Sequence, residues 1–329
     1  MKKIILGSLL LLSASAFAEE IVVYGPSTSK WIGKKYAPIF EKVTGDTIKY
    51  VSIDGVVQRL TLEKVNPKAD IVVGLTPVDI EVAKKHNVIQ KYKPKNIGMI
   101  KKDIKFDKEF YATPYDYGML AINYDKTKIK NPPKTLAELG KMKKQLLIEN
   151  PNTSNTGAEI LQWSLALYGK NWKKFWMTIQ PAVYNVEPGW EEAFAKFTAG
   201  EAPMMLGYAT SDMWFAQDNT QKEKYASFYV EDGNYQYIES AALVKKKEVK
   251  EGAKKFMEAV LGEEFQNMTA AKNYMFPVTS VNLGKEFDAV PRTDKKVQFV
   301  PNKEVVEHLS KYKKEAIQIL KKCYAIIHM

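Results

Sequence analysis

Short apolar runs and stretches of helical spacing alternate along this chain. Glu20-Ile-Val-Val-Tyr24 reads as a strand, Gly25-Pro-Ser-Thr-Ser29 as a loop, and Trp31, Tyr36, Ile39 and Phe40 as one face of a helix. A strand over 47–51 follows, then an Asp54-Gly55 turn, a helix through Val57, Leu60 and Leu62, and a buried strand Ala69-Asp-Ile-Val-Val-Gly74. Strands alternating with helices predict βαβ units and a largely parallel sheet covered on both faces, an α/β fold.

A second block with the same rhythm starts near Thr113-Pro-Tyr-Asp-Tyr-Gly118 and passes through a strand over 119–124. Two prolines in Lys130-Asn-Pro-Pro-Lys134 stop that strand. Thr135 is placed to cap the next helix, with Glu138 three residues on to complete a capping box. A strand over 145–148, a polar loop over 151–157, a helix over 158–168 and a helix through Trp172 and Trp176 come next. The pattern then predicts a helix from Gly189-Trp190, strands over 204–208 and 237–244, a lysine-rich helical region, and a last helix over about 302–327. Two lobes, with the chain crossing between them more than once, are the simplest arrangement.

The start of the chain departs from this rhythm. Lys2 and Lys3, an apolar run from Ile4 to Leu12 and Ala16-Phe17-Ala18 read as a secretory signal cleaved after Ala18. The run is too short to cross a bilayer of ~30 Å, and no later stretch approaches the ~20 apolar residues needed. No cysteine lies near the cleavage point to carry a lipid anchor. An exported protein, free in the periplasm and not membrane-embedded, is the expectation.

Composition narrows the class. At 329 residues, 45% hydrophobic and 26% charged, the chain is outside the disordered, collagen-like and disulfide-stapled classes and long enough for about two domains. Its single cysteine, Cys323, permits no internal disulfide and is expected in the core of the last helix. The net charge of +11 comes from lysines scattered over helical faces without a nucleic-acid motif, so no nucleic-acid partner is expected.

Much familiar chemistry is missing. No GxSxG, HExxH, P-loop or GxGxxG motif occurs, and the three histidines, His86, His308 and His328, are not grouped for a metal. Aromatic residues instead gather at loops and element ends: Trp31 after the Gly/Pro/Ser loop, Tyr115 and Tyr117 around Asp116, Trp190 after Pro188-Gly189, Trp214 beyond Tyr208, and Tyr274 in Asn273-Tyr-Met-Phe-Pro277. Ligands of α/β lobes bind where loops leave the carboxyl ends of strands, so these rings form a candidate box between lobes. Such a box suits a flat or cationic ligand. Asp54 and Asp116 read equally as partners for a cation and as turn-capping aspartates. The 151–157 loop offers hydroxyls and backbone N–H groups to an anion, or simply caps its helix.

Several of these segments together resemble the thiamine-binding periplasmic proteins of bacterial ABC importers, within the type 2 periplasmic binding protein superfamily. The best-matching stretches are Ala69-Asp-Ile-Val-Val-Gly-Leu75, Pro114-Tyr-Asp-Tyr-Gly118, Asn123-Tyr-Asp-Lys126, Gly189-Trp190, Gly207-Tyr-Ala-Thr-Ser211 and Asn273-Tyr-Met-Phe-Pro-Val278. The resemblance implies a two-lobed fold, each lobe a central sheet flanked by helices with hinge crossings. Lobe 1 would take residues 19–116 and about 241–299, and lobe 2 residues 117–240 and about 300–329. It implies ligand contacts from Asp54, Gly55, Ser154, Trp190, Tyr208, Trp214 and Tyr274, to which the aromatic pattern adds Trp31, Asp116 and Tyr117.

Trp214 stands at a family tyrosine position and Tyr274 at a family tryptophan position. Where the family has a second tyrosine, this chain has Pro26-Ser27. The function implied is capture of thiamine or its phosphate esters by a monomeric, non-enzymatic carrier that needs no cofactor and delivers to an inner-membrane ABC permease with its ATPase. The alternatives are a binder of another small cation such as a polyamine, a ferric-iron binder, and a periplasmic hydrolase using two carboxylates.

Overall fold

A computed structural model describes residues 18–53 and 55–326. The expected export signal up to residue 17, Asp54 and the side chain of Cys323 lie outside what it describes. Its strands are β1 (Glu20–Gly25), β2 (Thr47–Ser52), β3 (Ile71–Leu75), β4 (Ile89–Gln90), β5 (Thr113–Asp125), β6 (Leu146–Glu149), β7 (Val183–Glu187), β8 (Met204–Tyr208), β9 (Tyr225–Phe228), β10 (Asn234–Val244), β11 (Phe276–Pro277) and β12 (Lys296–Val297). The main order is β2-β1-β3-β10-β5-β8-β6-β7. Strands β1 to β3 pair in parallel, as do β6, β7 and β8, with helices between successive parallel strands. The fold is the α/β fold expected.

Two long antiparallel strands join these parallel sets. β5 and β10 pair with each other; β10 goes on to β3 on one side, and β5 to β8 and β9 on the other. The spacing around Tyr117 suggests a loop followed by a strand, but Thr113–Asp125 is one continuous, largely buried strand. Pro114 is tolerated because it lies next to the strand's start, beside a register shift in β10. At Gly118 the two strands approach so closely that a Cβ would lie 2.7 Å from the Tyr237 hydroxyl.

Each parallel set carries its own core. One contains Ile21, Val23, Phe40, Ile71, Phe256 and Phe265, with a second layer around Val57, Leu60 and Leu75 on the opposite sheet face. The other contains Leu120, Leu146, Trp163, Trp176 and Leu206, with Val305, Ala316 and Leu320 of helix Lys303–Ile326 packed onto it. A further cluster joins Met119, Ala121 and Met213 to Ala270, Phe276 and Phe287. The largest side chains are therefore buried in two separate places, bridged by β5 and β10.

Local signals are mostly realised. Ser154 caps helix Asn155–Tyr168, its Oγ accepting from Gly157 N at 3.2 Å. Thr135 caps helix Leu136–Lys141, but the reciprocal half of the expected box is absent: the Glu138 carboxylate accepts from Lys134 N instead. The full box occurs at Thr76, where Asp79 returns the bond. Trp172 precedes helix Lys173–Ile179 rather than lying within it, and strands β7 and β9 are additions to the elements that periodicity predicts.

Candidate functional site

Two adjoining cavities, of about 290 and about 340 Å³, lie where loops leave the carboxyl ends of β1, β6, β7 and β8. They share Ser27, Thr28, Trp190, Glu191, Tyr208 and Glu239, which makes them two compartments of one cleft. Ser27 and Thr28 come from the turn after β1, the rest of the shared set from the opposite side and from β10. Segments from both parallel sets therefore face one space.

One compartment has an aromatic wall. Trp190 opens helix Trp190–Thr198 after β7, and Phe194 lies one turn on, so the side chains stack at 4.6 Å between centroids and 19° between planes. Trp214, on helix Ser211–Phe215, meets Phe194 edge to face at 5.2 Å. Tyr274 lines the same compartment from a left-handed backbone position, φ 54°, at the end of the turn Thr269–Asn273. Tyr208, the last residue of β8, packs its ring 4.9 Å from Tyr237 and donates its hydroxyl to Glu159 at 2.9 Å. Trp190 Nε1 is buried without a hydrogen-bond partner.

Ser154 lines the second compartment beside Asn155 and Thr156, at the N-terminus of the 14-residue helix Asn155–Tyr168. It both caps the helix and faces the cleft, so the two readings of the 151–157 loop are compatible. Trp190, Tyr208, Trp214, Tyr274 and Ser154 are thus brought together.

The other candidates go elsewhere. Gly55 is exposed, with φ 70° ahead of helix Val56–Leu62, and borders neither compartment; Asp54 lies outside the described residues. Trp31 packs its indole into the core against Phe265 at 5.0 Å, leaving it 6% exposed. The alternation of β5 sends Tyr117 to the far face, where it stacks on Phe276 and borders a separate small cavity with Arg292. Asp116 is fully buried and lines neither compartment.

Glu239 is the residue that the sequence reading missed. It stands opposite Asp116 in the β5–β10 register, next to a shift in pairing that re-aims the strand, and it borders both compartments. A lone acid in the apolar run from Tyr237 to Val244 was the available signal. Burial, then the Glu239 charge, pushes the Asp116 carboxyl well above its ordinary value. Burial also raises Glu239, but hydrogen bonds from Asp116, Tyr115 and Asn273 counter it. Both carboxyls of the pair are thus raised, Asp116 the more strongly. Deeper still, burial raises Glu159, whose Oε2 accepts from the Tyr208 hydroxyl.

The arrangement can enclose a flat, positively charged molecule between rings and beside the Glu239 carboxyl. Residues 66–305 match the family described as bacterial extracellular solute-binding protein. The chain is 35% identical over 291 residues to the thiamine-binding periplasmic protein of Brucella abortus, covering 85% of this chain and 86% of that one. It is 32% identical over 305 residues to the protein of the same name from Salmonella typhimurium, covering 89% and 91%. A solved periplasmic thiamin binding protein superposes with a TM-score of 0.84 at 28% identity, covering 93% of this chain and 98% of that chain. This chain belongs to the bacterial extracellular solute-binding proteins and is a homologue of their thiamine-binding periplasmic members.

Proposed function

We propose that this protein captures thiamine in the cleft between its two parallel-sheet units and delivers it to an inner-membrane permease driven by an ATPase. The observation that carries the reading is the wall of Trp190, Phe194 and Trp214 beside Tyr274, above the buried Glu239 carboxyl. Thiamine joins a flat aminopyrimidine to a permanently charged thiazolium. Stacking serves the first, and ring faces attract the second by ~0.5 to 2 kcal/mol per contact.

The two units act as lobes. Residues 19–116 with about 241–268 form one lobe, and residues 117–240 with about 284–326 the other, joined by β5, β10 and the segment between. The Phe276 cluster, which packs against Met119 and Met213, supports placing the later segment with the second lobe. Ligand binding favours the closed arrangement, and that form docks on the permease as a monomer. The N-terminal segment up to Ala18 directs export and is then removed.

Phosphate esters of thiamine extend toward Ser154 and the helix N-terminus behind it. Solute-binding proteins are non-enzymatic components of transport, so the hydrolase alternative falls away. Among the described residues no group of three or more His, Cys, Asp or Glu is arranged to hold a metal ion.

Calorimetric titration with thiamine, thiamine monophosphate, putrescine and ferric citrate tests the reading. One equivalent of thiamine bound, with no product formed, is expected. Binding of putrescine or ferric citrate without thiamine would replace it.

A further inference from the structure

Two carboxyl groups face each other where the chain passes between its two cores. Asp116 on β5 is directly opposite Glu239 on β10. Asn273 Nδ2 donates to Asp116 Oδ2 at 2.7 Å, the Tyr115 hydroxyl donates to Glu239 Oε2 at 3.3 Å, and Asp116 Oδ1 is buried without a hydrogen-bond partner. Titratable groups that interact with the pair are Tyr237, also on β10, Tyr208 on β8, Glu159 on helix Asn155–Tyr168 and Asp79 on helix Pro77–His86. Lys272 and Glu191 border the compartment above. The hydrogen bonds that reach the pair come from Asn273 and Tyr115, and no ion pair to either carboxyl occurs among the described residues.

The aromatic wall alone does not discriminate by charge, because a neutral flat ring also stacks on indole and phenol faces. A buried carboxylate does discriminate, since a neutral ligand above it leaves it desolvated and uncompensated. We propose that Glu239 is the specificity-determining residue of the cleft: its carboxyl, which borders both compartments and receives the Tyr115 hydroxyl, accepts a fixed positive charge and rejects a neutral molecule of the same shape. The proposal rests on the thiamine reading and adds the group that recognises the ring charge. It also fixes a sign for pH. A bound cation favours the ionised carboxylate, so affinity falls as acid protonates the pair.

The test is calorimetric titration of thiamine and of its neutral isostere, with thiophene in place of thiazolium, into the wild-type chain and Glu239→Gln. The wild-type chain is expected to prefer thiamine by about tenfold to a hundredfold, the scale of a charged hydrogen-bonding contact. Glu239→Gln should reduce the preference to within about threefold while retaining the isostere, which reports an intact cleft. Lowering the pH should shrink the wild-type preference and leave that of the variant unchanged. A wild-type chain that binds both compounds equally, or a variant that keeps a tenfold preference, overturns the assignment while leaving the thiamine reading in place. Failure of the wild-type chain to bind either compound overturns the thiamine reading and the inference with it.

Discussion

Trp190 lies flat against Phe194, with ring centroids 4.6 Å apart, and the two stand one helical turn apart at the mouth of the cleft. Phe194 thus acts as a backstop that fixes the plane of the tryptophan ring before a ligand arrives. Pre-set orientation lowers the entropy cost of stacking a second ring on the free face.

Trp190→Ala removes that face. Thiamine affinity should fall by about tenfold to a hundredfold, while the thermal midpoint changes little because Trp190 is only partly buried. Titration calorimetry with a parallel melting curve measures both.

Trp31→Ala should give the opposite pattern. The indole is packed on Phe265 inside the first core, so truncation costs about 3 to 5 kcal/mol of folding stability. Urea denaturation should show that loss, and the fraction remaining folded should bind thiamine with unaltered affinity.

Tyr208→Phe separates a ring from a hydroxyl. The hydroxyl contacts both Glu159 and Thr156, at 2.9 and 2.8 Å, in a buried setting. Its removal leaves those groups without their partner at a cost of about 1 to 3 kcal/mol, read by denaturant unfolding, while the ring still lines the cleft.

Most of the architecture was legible in the sequence because it depends on local periodicity. Strand β3 and helix Asn155–Tyr168 announce themselves by apolar spacing and, for the helix, by its cap. The cleft was legible where a junction carried an unusual residue: Trp190 after Pro188-Gly189, Tyr274 before the Met-Phe-Pro run. Glu239 escaped because its role arises from pairing between strands 124 residues apart at Tyr115, a relation that no local pattern encodes. Trp31 and Tyr117 have the same loop-edge context as Trp190, and only the direction of each side chain, set by tertiary packing, tells them apart. Phe194 was invisible for a related reason: a helical phenylalanine reads as core until its neighbours are known.

Two aspartates should respond to pH with opposite signs. Burial raises Asp70, but hydrogen bonds from Lys246, Lys250 and Val22 N outweigh it and hold the carboxyl below its ordinary value. Its stabilisation is present above the unfolded carboxylate range and is lost as pH falls. Burial pushes Asp212 up to about 6 against the hydrogen bonds from Ser227. Its folded state favours the protonated acid, so stability declines as pH rises from about 4 to about 6, by roughly 3 kcal/mol. Asp70→Asn should flatten the acid side of a stability profile, and Asp212→Asn should remove the decline between those values; urea midpoints across pH check both.

A crystal structure of the protein grown with thiamine tests the central claim most directly. The account predicts the vitamin in the cleft, one ring stacked on the free face of Trp190 within reach of Trp214 and Tyr274, and the thiazolium above Glu239. Thiamine lodged away from these rings, or turned so that its charge points away from the Glu239 carboxyl, would contradict it.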